Sequence, residues 1–212
     1  RQAVLSVAGD EASSFLHGHD HATHCGWAGL PFVNHPHADG RILGVAALLP
    51  RTTPPEGRLE LLRALAQLEQ IMLPGGQSFR VETAINERRR TLQHRTWQRP
   101  ARCWTSITPI LLDRFPKPPN PAGREQAIRM GCRMAGLPEP VSVGIYAHSP
   151  VKGVDPSMAF RVRRSGQPKR PYTHATLEFP EPVRGPLLVG AGRYFGLGLM
   201  LPLDSGNTED GQ

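Results

Sequence analysis

The sequence predicts an α+β fold made of two successive units, each a strand, a helix and paired strands. Three observations carry that prediction. Short apolar runs of β-like content alternate with two stretches of helical spacing, and clusters of proline and glycine punctuate them. The hydrophobic fraction, 39% of 212 residues, suffices for one domain or two small ones.

The elements follow in chain order. Residues 1–22 have no convincing period and are expected to be an irregular lead-in. Thr23–Val33 and Arg41–Leu49 are apolar and β-like, and the second stops at Pro50. The joint "RTTPPEG" opens a helical pattern in which Leu61, Leu65, Leu68 and Met72 recur, expected to run up to "PGG". Ser78–Ala84 reads as a strand. The basic segment "NERRRTLQHRTWQRPARCW" follows, with Trp97 and Trp104 among its arginines. It reads either as a solvated surface hairpin or as a single-stranded RNA contact, where arginine and aromatic faces are both needed.

The second unit repeats the order in part. Trp104–Leu112 is strand-like, "DRFPKPPNPAG" is a rigid turn, and "REQAIRMGCRMAG" is helical with Gly136 as its stop. Val141–Ala147, Ala159–Arg164 and Thr173–Phe179 are further strands, and Leu199–Leu203 is the last. Two such units suggest two tandem ferredoxin-like, RRM-like halves at 23–100 and 101–204, with a polar tail at 205–212.

Charge narrows the partner. Lys plus Arg number 25 against 18 for Asp plus Glu, a net charge of +7, and the pI is near 10.0. Such basicity favours a polyanion, most often nucleic acid, over a basic surface that is merely solvated. No apolar run is long enough to cross a bilayer, nothing resembles a signal peptide, and no membrane partner is expected. Cys25, Cys103 and Cys132 are far apart and form no Cys-x-x-Cys pair, which argues against a disulfide framework and fits a reducing cytoplasm. Because the chain opens at Arg1 rather than Met, a fragment or processed product is expected.

Two motifs invite chemistry. "GAGRYFGLGLM" is glycine-rich, but its glycines precede a strand rather than a helix and no Lys-Ser or Lys-Thr pair follows, so no dinucleotide or phosphate-loop cradle is expected and no cofactor is assigned. Two readings stay open. Gly190, Gly192, Gly196 and Gly198 would let backbone N–H groups approach RNA, with Arg193 on phosphate and Tyr194 or Phe195 as a stacking face; or the segment is a tight turn with core aromatics. The other motif is histidine. "HGHDHATHC" gathers His17, His19, His21, His24 and Cys25, dense enough for incidental metal binding, but no second ligand cluster follows and no required metal is assigned. "PFVNHPHADGR" places His35 and His37 beside Asp39 and Arg41 between two strands. That suits proton transfer from a rigid scaffold, and equally a hairpin tip turned by Asp-Gly.

Three segments together, "GLPFVNHPHADGRILGVAALLPR", "WTSITPILLDRFPK" and "THATLEFPEPVRGPLLVGAGRYFGLGLM", resemble in order the processing half of the fused Cas five–Cas six subunit, the Csb-two family of type I-G (formerly I-U) CRISPR systems. The resemblance covers about residues 17–203. It implies tandem ferredoxin-like halves, a glycine-rich RNA-holding loop, and a repeat-specific endoribonuclease within a Cascade complex. Its partners would be CRISPR repeat RNA, mature guide RNA and other Cascade subunits. The family's N-terminal backbone-like half has no match here.

Metal-independent cleavage of that kind takes the proton from a ribose 2′-OH, lets the oxygen attack the adjacent phosphate and protonates the departing 5′-oxygen. The products are a 2′,3′-cyclic phosphate and a 5′-hydroxyl. Histidine suits both proton steps, so His35 and His37 are the catalytic candidates, with Arg41 on the phosphate and His174 and His24 as rivals. The RNA-binding candidates are Gly190, Gly192, Arg193, Tyr194, Gly196 and Gly198, with Lys169 and Arg170. Two other readings are kept: a non-catalytic subunit that only holds the repeat-derived handle, and a metal-dependent nuclease built on "HGHDH".

Overall fold

A computed structural model describes residues 2–8, 16, 25–50, 52–72, 76–84, 87–116, 120–160 and 170–203. The fold is α+β, with helices packed on antiparallel sheets. Helix α1 spans Gln2–Ala8, so the lead-in begins with order rather than as an irregular stretch. Strands β1 (Gly26–Pro31) and β2 (Ile42–Leu48) pair antiparallel as a hairpin, close to the expected strands.

Helix α2 covers Pro55–Ala66, with proline in its first turn, where the missing N–H loses no bond. It stops well before the expected "PGG". The Gln67 N–H bonds back to Arg63, Leu68 closes onto Leu65, and strand β3 (Gln70–Met72) pairs with β4 (Ser78–Arg80). Sheet pairing satisfies the backbone that a longer helix would have used, and local spacing carries no sign of that competition. Val4 of α1 and Leu61 and Ala64 of α2 form a small apolar cluster with Cys25, partly covered by Trp27 and Ala47 of the hairpin.

The basic segment becomes a 3-10 turn at Arg90–Leu92, helix α3 (His94–Gln98) and strand β5 (Pro100–Ser106). Strand β6 (Ile110–Leu111) follows. Helix α4 (Pro121–Met134) is capped by Asn120, whose side chain accepts from the Gly123 N–H at 2.9 Å, and is terminated by Gly136 at φ 70°. Then come β7 (Ser142–Tyr146), the long β8 (Tyr172–Arg184), β9 (Leu187–Leu188) and β10 (Leu199–Pro202). The strand expected at 159–164 is not seen in its described part: Ser157–Ala159 is a 3-10 turn, and 161–164 lie outside the described residues.

The main sheet runs β6-β8-β5-β10-β9, with β7 also on β8. Helix α4 lies on one face, where Ile128 and Cys132 meet Trp104, Leu177, Phe179 and Met200. The other face receives Ala28, Leu30 and Val33 of the hairpin segment, Trp97, Ile107, and Leu199 and Leu201 of β10. Successive β10 residues thus feed opposite cores, as strand alternation requires. The first half differs from the second. Its strands stand in two separate hairpins, and its apolar residues share a core with residues beyond position 100.

Candidate functional site at the histidine hairpin and glycine loop

Residues 32–41 close the β1–β2 hairpin. Phe32 N–H donates to the Arg41 carbonyl at 2.8 Å and Gly40 N–H to the Phe32 carbonyl at 3.0 Å. The turn is docked from one side. Asn34, at φ 56°, donates its N–H to the Lys152 carbonyl at 3.0 Å, Lys152 Nζ bonds the Pro36 carbonyl, and Gly40 sits so close to Gly153 that an added Cβ would lie 2.5 Å from its carbonyl. Gly40, at φ 78°, therefore serves the Asp-Gly turn and a close approach together. Segment 151–155 is remote in sequence, and no local pattern foretells its part in the site.

This anchoring leaves the side chains outside. His35 and His37 are both exposed, with ring centroids 5.5 Å apart, and His35 also stacks at 5.2 Å on Phe32. The His37 N–H donates to His35 Nδ1 at 3.1 Å, so neutral His35 carries its proton on Nε2. Arg41 pairs with Asp39 at 2.5 Å and lies 5.1 Å over the Phe32 ring. The Arg41 backbone N–H, and after it the guanidinium, hold the Asp39 carboxyl below its usual range. The structure thus brings His35, His37 and Arg41 onto one exposed turn.

The rival His174 is different. It is 0% exposed in the interior of β8. Its Nε2 donates to the Asp155 carbonyl at 3.0 Å, and its Nδ1 accepts from the Ser106 hydroxyl at 2.9 Å, which itself accepts from the Ala175 N–H. Burial lowers its pKa. A neutral ring with both nitrogens engaged is a strut under segment 151–155, which carries the hairpin, rather than an acid or base. His24 and the rest of "HGHDHATH" lie outside the described residues, while Cys25 is buried and its thiol pushed up to about 11 by desolvation.

The glycine loop reads otherwise than as a backbone cradle. A Cβ on Gly190 would meet the Leu111 carbonyl at 2.4 Å, on Gly196 the Trp27 carbonyl at 2.7 Å, and on Gly198 the Val189 carbonyl at 1.9 Å; all three have positive φ. Gly192 is crowded by the Leu197 side chain at 2.7 Å. The amides of Ala191, Arg193, Phe195, Leu197 and Gly198 donate to carbonyls within the protein. The close approach that these glycines permit is therefore of protein to protein. Side chains remain for a ligand: Arg193, 4.9 Å over Tyr194, and Phe195, 63% exposed. Arg193, Arg170 and Arg114 surround Asp113, whose carboxyl burial nevertheless raises above its usual value. Lys169 lies outside the described residues.

The tryptophans correct one reading of the basic segment. Trp97 is 6% and Trp104 0% exposed, and each indole N–H bonds a nearby carbonyl, of Thr91 and Ala101. They are core, and no stacking platform is made from them. The hairpin and the glycine loop meet β1 from opposite ends, the loop on Trp27 and Ala28 and the hairpin beginning at Phe32, on the order of 13 Å apart by strand rise.

A family model described as CRISPR-associated protein, GSU0054 family, matches residues 1–202. No curated protein and no solved structure matches the chain.

Proposed function

Since the chain belongs to the GSU0054 family of CRISPR-associated proteins, we propose that it binds CRISPR repeat RNA and cleaves the precursor transcript at the His35–His37 hairpin, as the Cas-six-like half of a type I-G subunit. One observation carries the reading: two exposed imidazoles 5.5 Å apart on a turn held from behind by segment 151–155. The order β7-β8-β5-β10, with α4 joining β5 to β7, supports it as well, being that of a ferredoxin-like unit without its second helix.

The residues divide the work as follows. His37 takes the 2′-OH proton, the 2′-oxygen attacks the phosphorus, and the bond to the 5′-oxygen breaks. A histidine protonates that leaving oxygen; exposed His35 fills this place in its imidazolium form, donating from Nε2, and protonation of Nδ1 releases the bond that this nitrogen accepts from the His37 N–H in the neutral ring. Arg41, fixed by Asp39 and Phe32, offers its remaining donors to the crowded phosphate. Arg193, whose backbone lies against Gly26 at the far end of β1, and Arg170, which acts with it on Asp113, hold a second stretch of RNA.

The test is incubation of the chain with labelled repeat RNA from its own locus, with and without EDTA, and mapping of the ends. Cleavage to a 2′,3′-cyclic phosphate and a 5′-hydroxyl, unaffected by EDTA, is expected. Tight binding without cleavage would favour the handle-holding subunit, and loss of cleavage in EDTA a metal-dependent nuclease.

A further inference from the structure

Behind the histidine hairpin lies a small pocket that neither loop explains. Val33 and Asn34 of the hairpin line one side, Arg90 and Thr91 of the 3-10 turn another, and Arg99 and Leu201 close it. The turn is firmly built. Thr96 Oγ1 donates to the Arg90 carbonyl at 2.5 Å, and the Trp97 indole N–H donates to the Thr91 carbonyl at 2.9 Å. Arg99 is anchored on the Pro202 carbonyl at 2.7 Å.

Within this frame, Thr91 is anomalous. It is only 4% exposed, yet its hydroxyl has no hydrogen-bond partner among the described residues. A buried hydroxyl left unpaired destabilises the fold, and valine of the same shape would not carry that cost. Retaining a threonine there makes sense if something else completes its bond. Arg90, next to it, is exposed, and no carboxylate among the described residues pairs with it. A donor hydroxyl, a guanidinium with no carboxylate partner among the described residues and the Asn34 amide line one pocket and form a donor set for a phosphate. Asn34 directly precedes His35, so a strand held here continues toward the imidazoles.

We propose that this pocket is a second phosphate subsite, taking a backbone phosphate of the single-stranded RNA beside the one cleaved, with Thr91 and Arg90 as its donors. The proposal rests on the RNA-processing reading for its ligand, but not on which residues cleave. Because a phosphate contact carries no sequence information, its loss weakens repeat RNA and an unrelated single-stranded RNA of equal length by the same factor.

Filter-binding titrations of both RNAs across several salt concentrations test it. Thr91→Val is expected to bind roughly tenfold more weakly, the size of a lost hydrogen bond to a charged group, while melting no lower than wild type. Thr91→Ser, which restores the hydroxyl, is expected to rescue binding. Arg90→Ala should weaken binding and make its salt dependence shallower by about one counterion. Wild-type affinity in both Thr91→Val and Arg90→Ala, with cleavage still lost in the hairpin histidine variants, overturns the subsite and leaves the processing reading standing. Weakened binding in the pocket variants with full cleavage in the histidine variants does the reverse. Failure of the wild-type chain to bind either RNA overturns both.

Discussion

The histidine hairpin and the glycine loop share their parts and differ in what they show to solvent. Each carries an arginine stacked on an aromatic ring, Arg41 on Phe32 and Arg193 on Tyr194, and each turns through a glycine at positive φ, Gly40 at 78° and Gly196 at 76°. In the hairpin, one side of the backbone is docked on residues 152 and 153, and the imidazoles stand clear. In the loop, the backbone is wedged against β1, β6 and Val189, and little but Arg193, Tyr194 and Phe195 remains at the surface. Dense glycine here reports how closely segments of the protein pack. Dense histidine on an anchored, exposed turn leaves imidazoles within reach of a ligand.

The largest effect that would break this contrast is Gly198→Ala. The new Cβ would lie 1.9 Å from the Val189 carbonyl at a φ of 70°, so a loss of roughly 3–5 kcal/mol in urea unfolding is expected. Gly76→Ala is the control. Its φ is 83° but nothing lies within 4 Å, and only about 1–2 kcal/mol should be lost. Equal costs at the two positions would mean that strain alone, not packing, explains the loop.

Next comes catalysis in the hairpin. His35→Ala and His37→Ala are each expected to lower single-turnover cleavage by about 10²-fold or more. Their urea midpoints should stay at the wild-type value, since both rings are exposed. A shifted midpoint with unchanged cleavage would make the hairpin structural and end its difference from the loop.

His174 sharpens the comparison from within, as the histidine that is packed rather than presented. Burial sets its folded pKa below the ordinary 6.5, so between those values the unfolded chain binds the extra proton. Its contribution to stability is whole above about 6.5 and is lost as pH falls below it, by up to about 1.4 kcal/mol per pH unit. Urea unfolding of wild type and His174→Gln from pH 8 to pH 5 should show a steeper fall for wild type. Parallel profiles would remove the assignment.

The smallest effect belongs to Arg193→Ala. Repeat RNA binding should weaken a few-fold, with the salt slope reduced by about one, and stability should change little because the side chain is only half-buried. An unchanged slope would show that the loop's surface, like its backbone, serves only the fold.

Much of this protein was legible along the chain. Asn120, Pro121 and Gly136 bracket α4, Asp39 and Gly40 turn the β1–β2 hairpin, and the apolar run from Leu199 is the final strand. In each case the deciding interactions join neighbours: a cap, a turn, a period. The end of α2 at Ala66, the burial of Trp97 and Trp104 among arginines, the inward glycines and the Thr91 pocket were not legible. These depend on contacts that no cap, turn or period marks: β3 pairing with β4 and Gly198 meeting Val189 across the loops between them, and, far along the chain, the hairpin resting on Lys152. Sequence alone determined which backbone conformations were favourable and which side chains carry charge or a titratable proton. Tertiary structure alone decided which of them face water, because exposure depends on what packs opposite, and a residue's own neighbours in the chain do not encode that.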